Sequence, residues 1–166
     1  MTHQSRPAGF HPIRRDRLLQ EAVNDSYKNK GKIPEPTVCT ECHAVFHGGR
    51  WQWSPEPQKA QQTCCPACHR MRDGFPAGYV TITGDFISAH EQEIMQLIHN
   101  HAEREKKEHP LQRIMNIEKT KYSTVVTTTD VHLARGIGDA LHHAYHGELE
   151  FHYNSGENLV RVNWSR

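Results

Sequence analysis

No run of about 18 apolar residues occurs in the sequence, so no segment has the length a membrane-crossing helix needs. Met1 to Phe10 has no apolar core of the signal-peptide kind. A cytoplasmic protein is therefore expected, with its thiols kept reduced. Catalytic signatures are equally scarce. Gly136-Ile137-Gly138 falls inside an expected helix and lacks the spacing of a phosphate-binding glycine loop. There is no G-x-S-x-G elbow and no evident Cys–His nucleophile context. Glu148 and Glu150 share one strand face at a solvated edge, a poor place for acid–base work. These absences point away from an enzyme. Aromatic residues make up only 8% of the chain, and Val125-Val126-Thr127-Thr128, which reads as the most central strand, has none. That removes the stacking face of an RNA-recognition motif. No repeat of solenoid type is present.

What the chain does have is cysteine in a pattern. Cys39-Thr40-Glu41-Cys42 and Cys65-Pro66-Ala67-Cys68 are two C-x2-C pairs separated by 22 residues, the spacing of a four-cysteine zinc site. Two thiolates three positions apart on a tight turn can reach one tetrahedral Zn²⁺, and two such turns complete its shell. Pro66, with fixed φ and no N–H, is expected to favour a tight knuckle and to exclude a helix there. Between the pairs, Val45-Phe46, Gly48-Gly49 and Arg50-Trp51-Gln52-Trp53 read as a hairpin with a glycine turn. A hairpin between two knuckles is the layout of a zinc ribbon. Cys64 is a spare thiol that could replace Cys65, although only Cys65 keeps the two-residue spacing to Cys68. His43 and His69 follow the knuckles and are alternative ligands. With four protein ligands the metal has no position for water, so the expected role is structural.

The 166 residues suffice for one ordinary domain plus a small metal module. Charge is uneven along them. Residues 1–34 carry seven Lys/Arg against three Asp/Glu, residues 35–76 four against four, and residues 77–166 nine against twelve. A basic arm on a mildly acidic body implies a partner that is negative at one place only. The overall pI of about 7.8 argues against a surface coated in phosphate contacts. Residues 1–38 are expected to form that arm, with a short helix over 14–23. It is either a solvated, partly disordered tail or a segment that orders on an RNA backbone or a protein surface. Residues 39–76 are expected to be the ribbon, with 71–78 a turn-rich linker.

Beyond residue 77 the patterning is α+β. Tyr79 to Thr83 alternates as a strand. Phe86 to Glu108 is helical, with Ile87, Ile94, Met95 and Ile98 at helical spacing and Pro110 beyond its end. Leu111 to Glu118 and Tyr122 to Thr128 read as strands. Asp130 caps a second helix, Val131 to His146, whose apolar face holds Leu133, Ala134, Ile137, Leu141 and Ala144. Strands at 149–153 and 159–164 complete a β-α-β-β-α-β-β order, a ferredoxin-like pattern with one strand added. His142 and His146 lie i,i+4 on the polar face, but His143 replaces the Glu of H-E-x-x-H, so a polar helix face is the plainer reading than a metal site. That face, with Arg135, His142 and His146, could instead donate to phosphate. Trp51 and Trp53 alternate onto one side of the hairpin beside Arg50. They are read either as packing or as a stacking platform for unpaired bases.

Several motifs carry a likeness. Lys32-Ile33-Pro34-Glu35-Pro36-Thr37-Val38-Cys39, Cys65-Pro66-Ala67-Cys68, Gly78-Tyr79-Val80 and Thr127-Thr128-Thr129-Asp130-Val131-His132-Leu133-Ala134-Arg135 resemble an uncharacterised family of short bacterial zinc-ribbon proteins. More distantly, cysteine knuckles followed by a Tyr-bearing strand and an α+β domain are similar to the N-terminal part of the NMD-three family, adaptors of the large ribosomal subunit. That family has more cysteine pairs and further domains. The resemblance implies zinc on Cys39, Cys42, Cys65 and Cys68, and contact with the ribosome or rRNA. Two functions follow as expectations. One is a non-catalytic zinc adaptor that binds the ribosome or structured RNA through Arg14, Arg15, Arg17, Lys28, Lys30, Lys32, Arg50, Trp51, Trp53, Arg135, His142 and His146. The other is a transcription-associated or protein-interaction ribbon that binds a protein partner or small ligand.

Overall fold

The computed structural model describes residues 25–154 and 156–166. The expected helix over 14–23 and the cations Arg14, Arg15 and Arg17 lie outside the described residues. The fold is mixed α+β, with three helices and two sheets among the described residues.

The first sheet is built from three-residue strands, β1 (Thr37–Cys39), β2 (Val45–His47), β3 (Arg50–Gln52) and β4 (Gln61–Thr63), in the order β3-β2-β1-β4. The expected hairpin is β2–β3, turned by Gly48 and Gly49, both at positive φ. β1 and β4 are not among the expected strands. They run parallel, with Cys39 opposite Thr63. Parallel pairing is what delivers both cysteine pairs to the same end of the sheet.

Immediately after β4 comes α1 (Pro66–Asp73), which corrects two expectations. Pro66 does not exclude a helix; it begins one. At the first helical position its missing N–H is an orphan anyway and its φ is already helical. Cys65 is the N-cap, its sulfur accepting from Cys68 N–H at 3.4 Å, and Gly74 closes the helix in the left-handed region. Residues 71–73, expected in a linker, are the last turn of α1.

The second sheet follows the expected element order: β5 (Gly78–Thr83), α2 (Phe86–Glu108), β6 (Ile114–Lys119), β7 (Ser123–Thr128), α3 (Val131–Tyr145), β8 (Glu148–Asn154) and β9 (Leu159–Ser165). The sheet order is β6-β7-β5-β9-β8, so β5, not the strand over 125–128, is central. β9 lies between β5 and β8 and runs parallel to β5. The added strand is therefore inserted rather than appended, and β8 becomes an edge. α2 and α3 bury Ile94, Ile98, Ala102, Leu133, Ile137 and Leu141 against Val80, Ile82, Val126, Val160, Val162 and Trp164. At about 25 cal/mol per Å² of apolar surface, this core is the main stabiliser of the α+β part. Ala144, expected on the buried face, is exposed, because the last turn of α3 hands that role to Tyr145 packed on Phe86 and Trp164. Close approach fixes the helix positions. A Cβ at Gly78 would lie 2.4 Å from Ala134 Cβ, and one at Gly136 would lie 2.6 Å from His101 Nε2.

Candidate metal centre and the groove beside it

The sulfurs of Cys39, Cys42, Cys65 and Cys68 all lie within 4.8 Å of one another. Cys42 Sγ and Cys65 Sγ are 3.8 Å apart. With metal–sulfur bonds of about 2.3 Å, a tetrahedral tetrathiolate has edges of about 3.8 Å, so the donor set fits one ion of zinc's size and geometry. Local hydrogen bonds aim the sulfurs inward. Cys65 N–H donates to Cys39 Sγ (3.2 Å) and Cys68 N–H to Cys65 Sγ (3.4 Å). Cys65 and Cys68 sit at the cap and third position of α1, where the helix dipole favours thiolate.

The first knuckle turns at His43, whose N–H reaches Cys39 O and whose φ is +63°. Its ring points away from the sulfurs to Glu56 (2.7 Å), and His69 packs on Tyr27 and faces Asp73. Neither histidine joins the cluster. Cys64 is also outside it. Burial, and then a hydrogen bond to Glu41, push its thiol up to about 12, so it stays protonated.

A contact that the sequence did not reveal comes from the other sheet. Arg113, just before β6, donates from Nη1 to Cys68 Sγ (3.2 Å) and from Nη2 to Cys42 Sγ (3.0 Å), with Cys65 Sγ at 3.8 Å from Nη2. A hydrogen bond from Cys65, then the Ala44 backbone and Arg113, hold the Cys42 thiol down at about 4 despite its burial. Cys65 is driven the other way by the same shared hydrogen and by its own burial. Burial pushes Cys68 up to about 11, opposed by Arg113. Burial works against the Arg113 charge, but its bonds to Cys42 and Cys68 outweigh that and raise its pKa. The signal that could have found Arg113 is a lone Arg at the mouth of a strand, and sequence alone does not distinguish it from a surface charge.

Trp53 bridges the two sheets as well. Its Nε1 donates to Lys106 O at the end of α2 (2.6 Å), and Arg113 lies 5.9 Å from its ring centroid. Trp51 is buried in the ribbon against Phe46. The two tryptophans do not form a shared stacking platform. Trp51 is core and Trp53 is a join.

Asp25 and Tyr27, at the start of the described residues, anchor the arm to α1, while residues 28–32 beyond them are exposed. Asp25 accepts from buried Arg70 on α1 (2.7 Å) and from Asn158 in the β8–β9 turn (2.9 Å), while Arg70 lies under the Tyr27 ring. From there the chain passes along a groove of about 710 Å³ between the ribbon and the start of α3. Lys28, Lys32 and Arg50 line it with His109 and His132, over an apolar floor that includes Ile33, Phe46, Trp51 and Leu111. Its two carboxylates have internal work. Glu35 accepts from Gly48 and Gly49 N–H, and Asp130 caps α3 through His132 and Leu133 N–H. Of the residues singled out in the sequence, Lys28, Lys32, Arg50 and Trp51 thus line one groove. Lys30 is exposed but not on the groove lining. Arg135, His142 and His146 are not on it either. Arg135 lies 3.8 Å from Asp139 and packs on Phe151, and His142 and His146 meet edge to face at the far end of α3.

No family model, curated protein or solved structure matches this chain.

Proposed function

We propose that this protein is a non-catalytic zinc-binding adaptor whose ribbon and α+β part together contact structured RNA, with the large ribosomal subunit as the partner. The carrying observation is the four-sulfur cluster, whose 3.8 Å edge suits tetrahedral zinc and leaves no ligand position for a reacting water. The groove supports the RNA half of the reading. Three cations from two separated stretches meet there over apolar and aromatic side chains, a combination that suits phosphates and unstacked bases. The strand order fits a ferredoxin-like unit widened by β9. A cytoplasmic site of action is part of this reading, because a reducing compartment keeps cysteine in the thiolate form that zinc needs.

Sedimentation of the full chain with ribosomes through a sucrose gradient at low and raised salt tests this. Co-migration lost steeply as salt rises is the expected result. Protein left at the top at both salts defeats the stable ribosome adaptor. A second reading, a transcription-associated or other protein-interaction ribbon, is favoured by one observation. Phe75 and Met71, 54% and 44% exposed, flank the end of α1 and offer an apolar contact that salt would barely weaken.

A further inference from the structure

We propose that Arg113, which belongs to the α+β part, is a positioning residue of the metal centre, so that retention of the ion by the ribbon depends on the fold of the other sheet. This rests on the zinc reading. Four thiolates around Zn²⁺ leave two negative charges in excess, and a buried excess of that kind is costly unless it is paired and hydrogen-bonded. Among the described residues, Arg113 is the cation in contact with the sulfurs, and it reaches three of them. The converse also holds. Arg113 is partly buried and, among the described residues, no carboxylate contacts its guanidinium, so the sulfurs are its anionic partners there.

The side chain is itself held in place. Nε donates to Pro110 O (2.6 Å), the backbone N–H donates to Thr129 Oγ1 (2.9 Å), and the backbone O accepts from Thr129 N–H (2.9 Å). Thr129 lies between β7 and the Asp130 cap of α3, so the fork stands on the body's own framework. A fork fixed in this way gives two directed N–H···S bonds to Cys42 and Cys68, which a lysine cannot reproduce. Groups that orient metal ligands from outside the coordination shell are worth about 10–100-fold in metal affinity when removed.

The test uses the full zinc-loaded chain with Arg113→Met and Arg113→Lys, and Arg72→Met as a control on an exposed arginine that pairs with Glu41 and Asp73 and touches none of the four clustered sulfurs among the described residues. Zinc release to a chromogenic chelator should quicken by at least about tenfold in R113M and by an intermediate factor in R113K, which keeps the charge but not the fork. R72M should release zinc like the unaltered protein. With cobalt(II) in place of zinc, R113M should move the sulfur-to-metal charge-transfer band to longer wavelength, because sulfurs that lose N–H donors are richer in electrons. A change of packing alone would not shift that band. If R113M proves poorly folded, R113K carries the same two readouts. Release and band both unchanged in R113K and R113M overturn the inference while leaving the zinc site standing. An unaltered protein that takes up neither zinc nor cobalt removes both.

Discussion

The two sheets of this molecule are stabilised in opposite ways. The second has strands of six or seven residues and a core of 15 buried apolar side chains among the described residues. The first has strands of three residues, and of the six residues in its buried cluster three are cysteines. A sheet that small cannot bury enough apolar surface to offset the entropy of ordering its backbone. What replaces a core is a set of ligands. The chain places its hydrophobic residues in one unit and its thiols in the other, and Arg113 and Trp53 join the two.

That contrast can be broken most forcefully at the metal. On the proposed zinc reading, chelating the metal should remove on the order of 10 kcal/mol of metal-coupled folding energy from the ribbon, and replacing Cys39 with Ser a large part of it. Amide exchange at Val38 and Val45 should then become fast while Val80 and Ile82 stay protected. Continued protection of Val38 and Val45 without metal would mean the ribbon has a self-sufficient core after all. The matching change in the body is Ile98→Ala, which opens a cavity where α2 meets the sheet. It should cost about 2–5 kcal/mol in urea unfolding. A cost near zero would deny that this core is the body's main stabiliser.

Acidity sharpens the contrast further. Burial, with Arg104 adding to it and Glu105 opposing, holds the His101 imidazole below its ordinary value of 6.5. The neutral ring faces Gly136 across the α2–α3 contact. A base whose folded pKa is depressed binds fewer protons folded than unfolded. Its share of stability is complete above about pH 6.5 and is lost as pH falls through the lowered folded value. The urea midpoint should therefore fall on acidification, and His101→Asn should flatten that limb. Equal slopes in both proteins would assign the acid sensitivity to other groups. The smallest effect belongs to the seam. Trp53→Phe keeps an aromatic ring, though a smaller one, and leaves Lys106 O without this donor, at a cost of about 1 kcal/mol. It should loosen exchange at the end of α2 without releasing metal.

How much of this could be read from the sequence depended on the range of the interaction. The helical stretch Phe86–Glu108 was legible because apolar spacing, flanking Gly84 and Pro110 are local signals, whereas its kink at His90 was not. The Asp130 cap and the cysteine quartet were legible for the same reason. The parallel partnership of β1 with β4 was not, since three-residue strands carry no period and their pairing spans more than 20 positions. The place of β9 beside β5 was hidden too, because element order does not fix sheet order. At Pro66 the signal was present but ambiguous. Proline both breaks helices and starts them, and only the Cys65 cap decides between the two. Lys28, Lys32 and Arg50 were singled out one by one, but only the fold shows that they share a groove and that Lys30 and Arg135 do not.

The parallel pairing at the base of the ribbon has a consequence for how this chain tolerates change. The connection from β3 to β4 has its two ends pinned by the sheet, while residues 54–59 within it lie outside any strand and largely in solvent. Doubling the length of such a loop costs only about 0.6 kcal/mol in closure entropy. A foreign peptide could therefore be spliced in near Pro57 and carried on the outside of the molecule, with the sulfurs kept in their places.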